Sequence, residues 1–193
     1  MAIKERIYEM AAGTGIKIIN KLFPEYYGKN PLGMTDRCIE YPFVIENLPK
    51  PPCGILDAGC AGSILPYILK AIGYKVTGID KRECLFPNFI RGDITESVIP
   101  QSFNIVTAVS TIEHIKDDLK AINRIYQALD FNGWLLMTVP YGKCYKQTQF
   151  HKIYDMKTLA SLLNGFHWEI KIADSCERKE QIALIKALKW KYS

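Results

Sequence analysis

Three acids and a glycine bend carry the most readable chemistry in this chain. Asp57 closes a short apolar run, Gly59 opens a turn in Asp57-Ala-Gly-Cys-Ala-Gly-Ser63, and Asp93 stands in Arg91-Gly-Asp-Ile94. Asp80 ends a second run about 20 residues beyond the glycine turn. A residue without a Cβ lets backbone approach a ligand closely, and the free amides that open the next helix favour a carboxylate. An acid at the end of the second strand can accept hydrogen bonds from both hydroxyls of a ribose. These groups suit an adenosine-containing cofactor. Asp57 precedes the turn instead of following it, which points to S-adenosylmethionine and away from a dinucleotide. A turn that binds nothing, or binds a nicotinamide, is the competing reading; a Gly-x-Gly-x-x-Gly turn would favour the nicotinamide, and the sequence lacks one.

Glu113-His114 and His151 form a second constellation. The chain has three histidines, and two of them fall where loops should border one mouth, at the carboxyl ends of the fourth and fifth strands. Methyl transfer to a hydroxyl needs alignment of the acceptor and a destination for its proton. His114 is the first choice for that base, with Glu113 and His151 in support. His167 lies inside an expected strand, where packing is its reading.

The elements that hold these groups follow from periodicity. Residues 53–58 predict a strand, and Ser63 can cap a helix carrying Ile64, Leu65, Ile68, Leu69 and Ile72 at helical spacing. Pro66 falls in its first turn and Gly73 just past its end. Lys75–Asp80 and Phe89–Arg91 predict further strands, and Phe103 to Ser110 suits a buried parallel one. Asp117 can cap a helix with Leu119, Ile122, Ile125, Tyr126 and Leu129 on one face, after which Asn132-Gly133 turns the chain into Trp134–Val139. Asp155 can cap a helix that Gly165 ends, and 167–173 and 181–188 read as a hairpin. Upstream, Met1–Phe23 predicts an amphipathic arm, Pro24–Thr35 a loop, and Asp36–Leu48 a short helix stopped by Pro49 and Pro51-Pro52. The expected division is an arm or lid over 1–50 and a cofactor-binding domain over 51–193.

Composition narrows the class. With 193 residues, 48% of them hydrophobic, the chain can bury one full core. A net charge of +5, interspersed with acids, makes no case for nucleic acid. Six scattered cysteines without a Cys-x-x-Cys pair suggest reduced, mostly buried thiols and neither a zinc knuckle nor a disulfide framework. No apolar run approaches the roughly 18 residues of a membrane span, so a soluble, cytoplasmic protein is expected.

Five segments in order now resemble class I S-adenosylmethionine-dependent methyltransferases over roughly Arg37 to Trp190. Residues 55–63 are similar to the family's first motif, 76–80 to its acidic strand end, and 91–94 to its adenine-side loop. Residues 103–115 resemble its fourth strand with the following loop, and 129–141 the approach to strand five. The pattern departs in two places: Ala61 and Ser63 stand where the family carries glycines, and Asp130-Phe-Asn-Gly133 replaces a proline-led turn. The resemblance implies an α/β fold, a Rossmann-like, doubly wound, mostly parallel seven-stranded sheet of order 3-2-1-4-5-7-6, with strand 7 antiparallel and helices on both faces. It implies that Gly59 and Ala61 hold the methionine end, Asp80 the ribose and Asp93 the adenine amino group. Ile94 would flank the adenine, and the Ser110 carbonyl would take the ammonium. In metal-dependent O-methyltransferases of this resemblance a Glu-x-x-Glu-His pattern supplies ligands. Here the first Glu position is Ser110, so a divalent ion held by Glu113, His114 and His151 is the alternative to metal-free base chemistry and is not favoured.

Residues 140–154 predict the acceptor region, a long loop mixing Tyr141, Tyr145 and Phe150 with Lys143, Lys146 and Lys152. The lysines can receive an anionic group and the aromatics can cover a sugar. The expected activity is methyl transfer to a hydroxyl of a small molecule or glycan. RNA 2′-hydroxyl methylation, N-methylation and a catalytically silent partner subunit stand behind it.

Overall fold

The computed structural model describes residues 35–100, 102–148, 151–177 and 179–190. The expected arm over Met1–Phe23, most of the loop after it, and Phe150 lie outside the described residues. The described chain opens with α1 (Arg37–Glu46) and β1 (Gly54–Ala58), followed by α2 (Leu65–Ala71), β2 (Lys75–Asp80) and β3 (Phe89–Arg91). After β4 (Phe103–Val109) come a 3-10 turn at Ile112–His114, α3 (Asp118–Ala128) and β5 (Leu129–Tyr141). A small hairpin, β6 (Lys146–Gln147) and β7 (Lys152–Ile153), precedes α4 (Met156–Leu162), β8 (Phe166–Asp174) and β9 (Gln181–Lys189).

Seven strands form one sheet in the order β3-β2-β1-β4-β5-β9-β8. The pairs from β3 through β5 are parallel, and β9 runs antiparallel to both β5 and β8. This is the expected order 3-2-1-4-5-7-6. Period-two alternation divides the central strands between two cores. Leu56, Val106, Ala108, Leu135 and Met137 pack with Ile122 and Ile125 of α3 and Leu159 of α4. Ile55, Ile105, Val109 and Leu136 face Val44 of α1 and Leu65 and Leu69 of α2. Helices therefore cover both faces.

Local signals act as chemistry dictates. Asp117 accepts from the Lys120 amide at the start of α3, and Asp155 with Thr158 completes a reciprocal cap on α4. Gly73, at φ 105°, follows α2, and the Gly73 and Tyr74 amides donate back to Lys70 and Leu69. Four expectations shift. Ser63 stands one residue before the cap position of α2, where its Oγ accepts from the Leu65 amide. Leu119 is exposed; the buried face of α3 is Ala121, Ile122, Ile125 and Ala128. Asn132-Gly133 does not separate two elements: β5 begins at Leu129 and absorbs the pair as an irregularity against Phe103 and Ile105, with Asn132 at φ 61°. Three cysteines, Cys38, Cys144 and Cys176, are exposed rather than buried.

The helix α1 belongs to the packed body, with Val44 fully buried. Its neighbour Asp36 makes no side-chain cap on the helix; its Oδ1 accepts from Ser175 Oγ at 2.7 Å and the Cys176 amide at 2.8 Å, tying α1 to the β8–β9 connection.

Candidate active site

Parallel β1, β2 and β4 all finish at one edge of the sheet, and their carboxyl ends open into a cavity of about 570 Å³. The glycine bend forms one wall. Gly59 sits at φ 81° and its amide donates to the Ile79 carbonyl at 2.8 Å. A Cβ there would lie 2.1 Å from Thr111 Oγ1, so only glycine fits. Thr111 cannot swing away cheaply, because that hydroxyl also bonds the Ala58 and Val109 carbonyls.

Six of the seven residues assigned to the cofactor line this cavity: Gly59, Ala61, Asp80, Asp93, Ile94 and Ser110. Asp80 accepts from the Ala61 amide at 3.0 Å and the Arg82 amide at 2.8 Å, which sets the end of β2 against the glycine bend. Arg82 Nη2 closes this collar by donating to the Ala61 carbonyl at 2.7 Å. Burial raises the Asp93 carboxyl, but the Lys81 ammonium at 2.6 Å and the Thr95 amide outweigh it and hold the group below its ordinary value.

Asp57 is the exception among the seven. It lies beneath the bend and not on the cavity wall, with 2% of its surface exposed. Thr107 Oγ1 donates to its Oδ1 at 2.6 Å, while its Oδ2 has no hydrogen-bond partner. Burial pushes this carboxyl up to about 7, against the Thr107 hydrogen bond and the charge of Arg37. A strand residue before the turn alternates inward, which accounts for its depth.

His114 lines the cavity from the 3-10 turn, and its ring centroid lies 6.5 Å from that of His151. His151 stands beside His114 but is not among the residues that line the cavity. Glu113 does not line the cavity: its side chain is fully buried, with Oε1 3.9 Å from His114 Nε2. Among the described residues no three His, Cys, Asp or Glu side chains are grouped to hold a metal ion. With Glu113 buried, the donors named for a divalent ion do not present a ligand set.

The acceptor loop is shorter than it reads. Lys146–Gln147 of β6 pair with Lys152–Ile153 of β7 within it, and Tyr154 pairs with Tyr141. Lys152 is buried, its Nζ donating to the Ile115 and Lys116 carbonyls at 2.9 Å each and meeting Asp118 Oδ2 at 2.8 Å. It fastens the hairpin under the His114 turn and is not available to a ligand anion. Lys143, Tyr145 and Lys146 are exposed.

Sequence reasoning passed over Arg37, which also lines the cavity. It stands outside every glycine or acid motif, and only its place at the start of a short helix before the core marked it.

A doubly wound sheet with acids on neighbouring strand ends around a glycine bend defines a nucleoside-binding α/β protein of the Rossmann-like class. Comparison narrows the class. A family profile described as a methyltransferase domain matches residues 16–176. The mitochondrial ubiquinone biosynthesis O-methyltransferase of Schizosaccharomyces pombe is 27% identical over 100 residues, 44% of this chain and 36% of the relative, so the match spans well under half of that protein. The 1,6-didemethyltoxoflavin-N1-methyltransferase of Burkholderia thailandensis, solved with its namesake ligand and S-adenosylhomocysteine, has a TM-score of 0.68 at 16% identity over 95% of this chain and 90% of that one. An S-adenosylmethionine-dependent methyltransferase of Methanosarcina mazei gives 0.62 at 16% identity, covering 78% and 99%. At these identities the structural likeness is one of fold. The chain belongs to the class I S-adenosylmethionine-dependent methyltransferases.

Proposed function

We propose that this protein transfers a methyl group from S-adenosylmethionine to a hydroxyl of a small-molecule or sugar-containing acceptor. The observation that carries the reading is the meeting of Gly59, Asp80 and Asp93 on the wall of one cavity. The cavity fits the donor by chemistry as well as size: a bend that admits no Cβ, and acids at two strand ends on one wall. In this reading Asp80 holds the ribose hydroxyls, Asp93 and Ile94 the adenine, and Ser110 the ammonium. Backbone at Gly59 and Ala61 approaches the methionine end, where Arg37 offers its guanidinium to the carboxylate.

When bound, the donor supplies a methyl already activated on a sulfonium. The protein's part is to orient the acceptor, exclude water and take one proton. His114 stands at the mouth and serves as the base, with His151 beside it. A hydroxyl acceptor accords with the name of the Schizosaccharomyces pombe relative, which aligns over part of the chain. The division into a covering segment over 1–50 and a cofactor domain over 51–193 belongs to this reading, with α1 as the covering segment's fixed end.

Titration calorimetry with S-adenosylhomocysteine tests the site. Wild type should release heat, and Asp80→Ala should weaken binding about tenfold or more. His114→Ala should retain binding but lower turnover by about a hundredfold to ten-thousandfold, read with labelled methyl donor and a cell extract as acceptor source. Equal affinity for wild type and Asp80→Ala would remove the assignment.

A further inference from the structure

Glu40 is fully buried on α1 and takes no part in the site described so far. Its Oε1 accepts from Ser110 Oγ at 2.6 Å and from Thr138 Oγ1 at 2.6 Å, and its Oε2 receives Arg37 Nη1. One carboxylate thus joins three elements: α1, the end of β4 and the middle of β5. Taking an acid out of water is costly unless its oxygens are satisfied, and an apolar side chain would fill this space at no such cost. An acid here is explained by what it holds.

It holds two groups of the cavity wall. Arg37 and Ser110 both line the cavity, from different elements with no chain continuity between them. Ser110 has φ 45°, a conformation that a non-glycine residue keeps only when its surroundings fix it. Its amide donates to Thr138 at both the carbonyl and the hydroxyl, 3.1 and 3.0 Å, and its side chain is fixed by Glu40. The half-exposed Arg37 would sample many rotamers without the carboxylate three residues on.

We infer that Glu40 is a positioning residue for the amino-acid end of the methyl donor: it sets the Arg37 guanidinium and the Ser110 backbone at one fixed spacing, matched to an α-carboxylate and its ammonium. The inference rests on the donor reading above. It differs from a simple anchor for α1, because an anchor would support every ligand of the cavity alike, whereas this device serves the amino-acid end and leaves the nucleoside end untouched.

Two ligands separate these roles. S-adenosylhomocysteine carries the amino-acid end, and 5′-methylthioadenosine has the same nucleoside without it. In Glu40→Gln, affinity for the first should fall about tenfold while affinity for the second stays at the wild-type value. In an Arg37→Gln background, adding Glu40→Gln should cost less than it does alone, because the two act through one contact. Equal losses for both ligands, no loss for either, or full additivity with Arg37→Gln would overturn the inference. Should Glu40→Gln fail to fold, Thr138→Val removes one hydroxyl from the same carboxylate, and the same two-ligand comparison decides. Wild type that binds 5′-methylthioadenosine but not S-adenosylhomocysteine would overturn the inference and leave the nucleoside site intact; wild type that binds neither would end the donor reading itself.

Discussion

Asp57 concentrates an electrostatic conflict in one side chain. It is buried with one oxygen unpartnered, and its carboxyl is pushed up to about 7. A carboxyl whose folded value exceeds its unfolded one binds extra protons in the folded state between the two, so stability falls as pH rises across that window. For Asp57 the window runs from the ordinary 3.8 to about 7. Urea unfolding of the ligand-free protein between pH 5 and 7 should show this decline, and Asp57→Asn should flatten it; parallel curves would refute the assignment. The position of Asp57 before the bend was legible in the sequence because strand and turn signals are local, but its depth was not. The same holds for Glu113, which sits beside His114 in sequence and faces inward, and for Lys152, whose basic neighbours suggested an anion site. Which way a loop side chain turns depends on what packs against it from elsewhere in the chain, and no spacing rule encodes that.

At the scale of elements, the glycine bend between β1 and α2 is the tightest joint. A methyl group at Gly59 meets both a positive φ and the Thr111 side chain, which is held by two carbonyls. Gly59→Ala should therefore cost about 1–3 kcal/mol of stability, measured by urea unfolding. Thr111→Ala in the same chain should recover only part of it, since the backbone strain remains. Full recovery would mean that crowding alone makes the glycine necessary. Elements with a local cause were legible: β3 from its Phe-Ile-Arg run, α3 from the Asp117 cap, and the closing hairpin from two apolar runs. The buried face of α3 was misjudged at Leu119 because helical period alone does not say whether bulky or small residues meet the sheet. The β6–β7 hairpin escaped notice because two-residue strands carry no periodicity.

Across the whole molecule, the beginning of the described chain is fastened to the β8–β9 connection. Besides the Asp36 contacts, Cys38 Sγ lies 3.6 Å from Cys176 Sγ, both at the surface. Oxidised glutathione should join them: the two thiols lose two hydrogens, one disulfide forms, and the oxidant leaves as two reduced glutathiones. Peptide mapping without reductant should find the Cys38 and Cys176 peptides linked; separate glutathione adducts on each would show that the pair cannot close. Neither cysteine carried a sequence signal, since 138 residues separate them.

That fastening also orders assembly. Helix α1 leaves the ribosome before Ser110, Thr138 and Ser175, the groups that donate to Glu40 and Asp36, which follow it in that order. On the donor site proposed above, a cradle for the nucleoside can then stand between β1 and β2 while its amino-acid side is still open. A nascent chain should thus acquire its grip on the two halves of one small molecule at two different lengths.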